Sequence, residues 1–421
     1  MISEHAYSRL KWRMLLAAMF CYLFFYTGRQ TFGFAIPGIE EDLGLSKTTL
    51  GAISGALLWA YAAGQMVNGN LADKLGGRRL MTLGAVLSTI LNWCTSFSVG
   101  ARSLALFWGA NGFVQAMGWP SGGRVISNWW GPHERGMSFG FYTFAAGMSS
   151  VLAFVTSTVV VGVLDLDWQW IFRIPVLLML VGGITFYLVA RETPAAAKVT
   201  PPESVRADAE RVEPASAGVD TDRSLARYTA VLRNAKIWST GIAIGFQNAA
   251  RYGLLIWVPV HFLGADWEES SGGAIDPIWI SVALPVGMAV GALTNGQLSD
   301  RIFGSRRDRP IVLFMGAGAV AAMTMYLADL GTVGGIVVLF LTGFLVYGPQ
   351  SSFWALCPDL AGKAMAGTAT GVVNCFAYVF AGAAEPFVGN LMDTTGETSL
   401  IFPIVAACCV CSALTALTIR R

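Results

Sequence analysis

The sequence predicts an all-α membrane protein with twelve transmembrane helices in two pseudo-symmetric six-helix halves. Three observations predict it. Of 421 residues, 54% are apolar and only 13% charged, with a mean hydropathy of +0.56. Soluble domains carry about 25% charged residues, and a disordered chain has too little apolar surface rather than too much. Twelve apolar runs approach the length of about 20 residues that a membrane helix needs. A loop sequence recurs once in each half.

The first run, 12–37, follows Arg9, Lys11 and Arg13, as a secretion signal would. It is too long for one and no small-x-small cleavage site follows, so it is expected to stay as a helix. Runs 47–70, 79–98, 103–123, 136–163 and 168–190 complete the first half, 1–190. Residues 191–235 then break the pattern with Pro194, Pro201, Pro202, Pro214 and many charges, and read as a linker, disordered or weakly helical. Runs 237–264, 277–299, 310–328, 332–357, 364–391 and 397–418 form the second half, 236–421. Glycine and alanine crowd these runs, as close helix packing in lipid requires. A β-barrel would show short alternating strands instead.

Positive charge orients the bundle. Of the 28 Lys and Arg residues, 22 fall on the side of the two termini, whereas the opposite loops carry acids: Glu40, Glu41, Asp42, Asp266, Glu268 and Glu269. Both termini are therefore expected in the cytoplasm. The formal net charge of +2 gives no field for nucleic acid. Seven cysteines and three histidines form no metal-ligand cluster, and Cys375, Cys408, Cys409 and Cys411 read as small hydrophobes. No metal, no cofactor and no nucleophile–base pair is predicted, which leaves little room for an enzyme.

The halves repeat. Gly69-Asn-Leu-Ala-Asp73-Lys-Leu-Gly76-Gly-Arg78-Arg79 follows the second run, and Gly296-Gln-Leu-Ser-Asp300-Arg301-Ile-Phe-Gly304 follows the eighth, 227 residues later. Neither is a phosphate-binding P-loop, since both lack the GK[ST] ending. Arg29 in the first run and Arg251 in the seventh are offset by 222 residues. Duplicated helix bundles are a transporter signature, with the ligand where the halves meet.

A charge buried in lipid costs at least a few kcal/mol and marks function by default. Arg29 and Arg251 are therefore candidate ligand residues, against the alternative that each bonds carbonyls or an acid on a neighbouring helix. Two facing guanidiniums suit a tetrahedral dianion, each offering two parallel N–H donors. Carboxylates and sulfonates fit less fully. Tyr26, Gln30 and Gln65 are candidate lining beside Arg29, and Gln247, Tyr252 and Trp257 beside Arg251; for the aromatics, packing is the plain alternative. Glu385, in the eleventh run, admits four readings: counter-ion to an arginine, proton-coupling carboxyl, partner of a substrate amine, or a water-facing residue near a helix end.

The paired loops resemble the signature of the major facilitator superfamily. Three stretches resemble its organophosphate:phosphate antiporter family: Asn111-Gly-Phe-Val-Gln-Ala-Met-Gly-Trp-Pro120 through Gly136, Arg251-Tyr-Gly253 with Trp257-Val-Pro259, and Tyr347-Gly-Pro349 with Ala366-Gly367-Thr-Ala369. The resemblance implies Arg29 and Arg251 as the substrate-binding pair and exchange of a phosphate ester for inorganic phosphate. It also implies a monomer in a bacterial inner membrane. Asp73, Arg78, Arg124, Arg135, Asp300 and Arg301 would form gating ion pairs, the plain alternative being positive-side anchoring. Two departures stand out: Gln65 where relatives carry lysine, and Ala146 near the place of a histidine. Proton-coupled import of a carboxylate, sulfonate or phosphonate, and a receptor sensing a sugar phosphate, remain open as alternatives.

Overall fold

Apolar runs place helices at all twelve expected positions, and the polar residues inside them decide where those helices break. The computed structural model describes residues 4–45, 47–202, 222–262, 278–328, 330–395 and 397–419. The first half contains α1 (Glu4–Leu23), α2 (Phe32–Leu43), α3 (Lys47–Leu75), α4 (Gly77–Ser96), α5 (Ala101–Gln115), α6 (Gly118–Trp129), α7 (Arg135–Thr158) and α8 (Pro175–Val189). After α9 (Ser224–Arg233) come α10 (Ala235–Phe262), α11 (Ile278–Arg301), α12 (Asp308–Leu327), α13 (Gly331–Tyr347), α14 (Gln350–Ala361), α15 (Ala366–Thr395) and α16 (Ile401–Ala416). No strand occurs among the described residues.

Three runs that read as continuous helices are broken. The first divides into α1, a 3₁₀ turn over Phe25–Gly28, and α2. The fourth divides into α5 and α6, where Pro120 has no N–H to offer the carbonyl of Ala116. The tenth divides at Gly348-Pro349, between α13 and α14. A break in lipid is tolerated where neighbours satisfy the freed backbone groups. At the first break, the Gly28 carbonyl accepts the side-chain amides of Asn111 (2.7 Å) and Asn92 (3.1 Å).

The halves meet along two seams, α3 against α15 and α7 against α11. The glycine that opens each repeated loop has its reason here. A Cβ on Gly69 would lie 2.4 Å from the Gly367 carbonyl, and one on Gly296 would lie 2.2 Å from the Gly136 carbonyl. At both places the backbones of opposite halves touch, which no larger residue permits.

The linker contains more order than its composition predicts at its second end. There α9 docks under the α3–α15 seam. Tyr228 donates its hydroxyl to the Met66 carbonyl (2.7 Å), and Ser224 donates to Asn70 Oδ1 (2.6 Å). Both chain ends lie at the same end of the bundle as the repeated loops. Near the start, Tyr7 bonds the Trp129 carbonyl and Lys11 pairs with Glu134; near the finish, Thr418 bonds Ser239.

Candidate functional site

Arg29 sits in the break itself, with φ −145° and ψ −17° just past the 3₁₀ turn. Its guanidinium lies over the rings of Tyr26 (4.2 Å) and Tyr61 (4.5 Å), and Nη1 donates to the Tyr378 hydroxyl at 3.3 Å. Arg251, from the continuous helix α10, is 8% exposed and lies over Tyr347 (4.4 Å) and Tyr252 (5.2 Å). Its Nε has no hydrogen-bond partner. Tyr378 lies between the two arginines, its ring tilted against Tyr61 at 4.5 Å and 6.0 Å from Tyr252. No carboxylate among the described residues forms an ion pair with either guanidinium.

Arg251, Tyr347 and the three tyrosines that surround Arg29 line a cavity at the seam, about 20 Å³ in this closed arrangement, enough for one water. Its walls include Tyr26, Tyr61 and Trp119 from the first half, and Arg251, Tyr347, Gln350 and Tyr378 from the second. Trp119 packs on Trp354 (5.3 Å) across the seam, and its indole N–H is buried and unpartnered. A site of guanidiniums, phenol hydroxyls and an indole N–H is rich in donors.

The structure brings Arg29, Arg251, Tyr26 and Tyr252 together as the sequence suggests. Gln30 is half-buried in the break with its Oε1 unpartnered. Gln65 is fully buried where α3 meets α15, beside Gly371, and neither amide atom has a partner. Gln247 departs from expectation. Its amide donates to the Val346 carbonyl (2.8 Å) and accepts from Asn248 and Gln350, so it braces the α13–α14 break rather than lining the cavity. Trp257 and Glu385 lie within α10 and α15, but their side chains fall outside the described residues. Sequence reading missed Tyr61, Tyr347, Tyr378 and Trp119. Tyr61 precedes Gln65 by one helical turn, which was the available signal.

At the loop end, buried carboxylates reach from each half to the other. The Asp73 carboxylate, at the end of α3, pairs with Arg124 at 2.5 Å. It also accepts the backbone N–H groups of Gly367 (2.9 Å) and Thr368 (2.7 Å) and the Thr368 hydroxyl (2.7 Å). It thus caps the positive N-terminus of α15, a helix of the opposite half. Asp300 mirrors this. It ends α11, accepts the Met137 N–H at 2.6 Å near the N-terminus of α7, and pairs with Arg307. Glu192 adds a second acceptor for Arg124 at 3.1 Å.

Arg135 forms an ion pair across the halves with Asp359 (2.7 Å), buried in α14, which Arg307 joins to Asp300. Two gating expectations need correction. Arg78 lies over Tyr187 and donates to its carbonyl, outside these contacts between the halves. Arg301 is exposed and forms no ion pair among the described residues; Arg307, which also donates to Pro132 across the seam, takes its place. The cause is geometric: Arg301 is still on the helix whose exposed side it occupies, whereas the turn at Gly304-Ser305 folds Arg307 back under Asp300.

This chain is similar to known proteins over almost its whole length. It is 28% identical over 429 residues to the glycerol-3-phosphate transporter of Bacillus subtilis, covering 99% of this chain and 94% of that one. It is 27% identical over 427 residues to a probable sulfoacetate transporter of Cupriavidus necator, covering 98% and 95%. Other relatives are named as probable hexose phosphate transport proteins and as a membrane sensor protein. Among solved structures, the fucose:proton symporter of Escherichia coli matches the fold with a TM-score of 0.68, 14% identity, and coverage of 97% and 99%. Residues 18–386 match the family model described as Major Facilitator Superfamily, and with the helix bundle above this places the chain, an integral membrane protein, in the major facilitator superfamily.

Proposed function

We propose that this protein moves a small organic anion across the bacterial inner membrane, as a phosphate ester exchanged for inorganic phosphate. The observation that carries the reading is the pair of guanidiniums, one from each half, each set among tyrosine rings that line one cavity, with no described carboxylate paired to either. The relatives named for glycerol-3-phosphate and hexose phosphate support the cargo class. The excess of basic residues at the loop end supports a cytoplasmic position for that end and for both termini.

Transport follows from rocking of the two halves about the arginines. In the arrangement described, Asp73 and Asp300 hold the cytoplasmic ends shut by capping helices of the opposite half. Opening that end breaks both caps together, because each lies on a seam that must part. An anion bound between Arg29 and Arg251 draws the halves together and neutralises the guanidiniums while the cavity crosses.

A second reading has its own support: the relative named as a probable sulfoacetate transporter, and neutral Gln30 and Gln65 near Arg29, favour a sulfonate. One experiment separates the two. Purified protein in phosphate-loaded liposomes is assayed for uptake of labelled phosphate, with and without a proton gradient, in competition with glycerol 3-phosphate, glucose 6-phosphate and sulfoacetate. Exchange without a gradient, abolished by Arg29→Ala or Arg251→Ala, is the expected result. Absence of phosphate flux by folded protein refutes the antiporter reading, and uptake that needs a gradient and fails in Glu385→Gln assigns Glu385 the proton.

A further inference from the structure

We propose that Asn111, assisted by Asn92, is a positioning residue that presents Arg29 to the tyrosines lining the cavity by pinning the peptide unit on which Arg29 hangs. This rests on the reading of Arg29 as an anion ligand.

The first membrane run is interrupted at a point where an arginine must be held still. The Gly28 carbonyl falls outside the helical ladder, between the 3₁₀ turn that ends at Gly28 and α2, which starts at Phe32. A buried carbonyl needs a partner. Two side chains supply one: Asn111 of α5 at 2.7 Å and Asn92 of α4 at 3.1 Å. Both asparagines are fully buried.

The Gly28 carbonyl and the Arg29 N–H belong to one planar peptide unit. The carbonyl end is held by the two asparagines, and the N–H end donates to the Tyr26 carbonyl at 3.1 Å. The Tyr26 N–H in turn donates to Ser149 Oγ of α7 at 3.1 Å. A peptide plane held at both ends cannot rotate, so the Cα of Arg29 has one place and its side chain one direction of departure.

The orientation of the Asn111 amide is itself set by its neighbours. Gln115 Nε2 donates to Ser88 Oγ at 2.7 Å, which leaves the serine proton for Asn111 Oδ1 at 2.6 Å. With its oxygen engaged there, Asn111 turns its NH₂ to Gly28. The approach is close: a Cβ on Gly28 would lie 2.4 Å from Gln115 Nε2 and 3.0 Å from Ser88 Oγ. Glycine just before the arginine is what lets the amides reach the backbone. The second half shows the same device, with Gln247 donating to the Val346 carbonyl next to Tyr347, the residue under Arg251.

Positioning is distinguished from plain structural support by a matched control. Asn68 also donates its amide to a backbone carbonyl in the same half, that of Phe113, at 2.8 Å. Asn68→Leu removes one such bond, worth about a tenfold factor, and Asn111→Leu removes one together with the Ser88 bond to its Oδ1. Exchange kinetics are measured for both in phosphate-loaded liposomes. Asn111→Leu is expected to raise the KM for phosphate about tenfold, and to add nothing in an Arg29→Ala background when phosphate binding is measured. Asn68→Leu is expected to lower Tm with KM unchanged. Equal KM shifts in the two variants, or an Asn111 effect that persists without Arg29, overturn the proposal. Should the wild-type protein bind neither phosphate nor sulfoacetate, the transport reading fails by itself. The positioning claim is then decided by phenylglyoxal modification read by mass spectrometry. Asn111→Leu must change the ratio of Arg29 to Arg251 labelling while Asn68→Leu leaves it as in the wild type; an unchanged ratio refutes it.

Discussion

Replacing Asp73 by asparagine tests whether the cytoplasmic seal stores the energy that keeps this end shut. The carboxylate is inaccessible to solvent and pairs with Arg124, which is 15% exposed, at 2.5 Å. It also holds two backbone N–H groups and one hydroxyl at the start of α15. The Arg124 pair lies within the first half and outlasts the parting of the seams. The bonds to Gly367 and Thr368 exist only while the seams are closed. A hydrogen bond to a charged group is worth about 1.5–3 kcal/mol, and an asparagine oxygen still accepts one N–H, so losing the charge shifts the balance toward the open form by about 10- to 150-fold. The assay places a cysteine at Asn374, which lines the cavity, in a background freed of the seven native cysteines. An impermeant maleimide is then applied from the side of the termini. Labelling in Asp73→Asn should rise by the same tens-fold factor over the parent. A rate within about twofold of the parent means that the Asp73 bonds to Gly367 and Thr368 contribute under about 0.5 kcal/mol to closure, and the gating argument is wrong.

Other outcomes follow from the same contacts. Gly69→Val and Gly296→Val each push a side chain into a carbonyl of the opposite half, so both should trap the protein open to the cytoplasm and abolish exchange while the chain still inserts; normal exchange in either would refute backbone contact at the seam. Arg251→Lys keeps the charge but loses the planar fork, and phosphate affinity should fall about 10- to 100-fold by equilibrium binding. Tyr228→Phe should release α9 and speed proteolysis between Ser224 and Arg233 without changing the KM for substrate. Burial, and secondarily the Asp73 charge, raise the Tyr228 hydroxyl above its usual 10. Docking of α9 is therefore constant below pH 10 and weakens as pH rises through the folded value, a dependence that the phenylalanine variant should lack.

The duplication was legible because it is written in residue types that lipid forbids without cause. Two arginines and two aspartates at matching offsets announce both the cavity and the seal. Asp73 and its partner Arg124 were both readable as candidate gating residues, whereas the partner of Asp300 was not. Arg307 rather than Arg301 meets Asp300 because of a turn with positive φ at Gly304 and Ser305, which charge counting does not resolve. The tyrosines were invisible for a different reason. Tyr61, Tyr347 and Tyr378 lie on three helices far apart in sequence, and a tyrosine in a membrane helix reads equally as packing. Breaks in the first, fourth and tenth runs were hidden because hydropathy averages over a run and ignores which carbonyls lack a partner.

The tyrosine surroundings bear on whether the carrier can return empty. Each arginine lies over two rings. Such contacts are worth about 0.5–2 kcal/mol each, or roughly 1–4 kcal/mol per guanidinium. Burying an unpaired ion costs several kcal/mol even after relaxation. The rings therefore soften the cost of an empty closed cavity without removing it, and a deficit of roughly 2–3 kcal/mol remains. An anion between the guanidiniums supplies the missing charge, which the rings, carrying only a quadrupole, cannot. Efflux from loaded liposomes into anion-free buffer should accordingly run about 100-fold slower than exchange against external phosphate. Equal rates would mean that some other group neutralises the arginines in the empty carrier. Glu385→Gln would then identify it: if Glu385 is that counter-ion, the substitution slows efflux and leaves exchange intact.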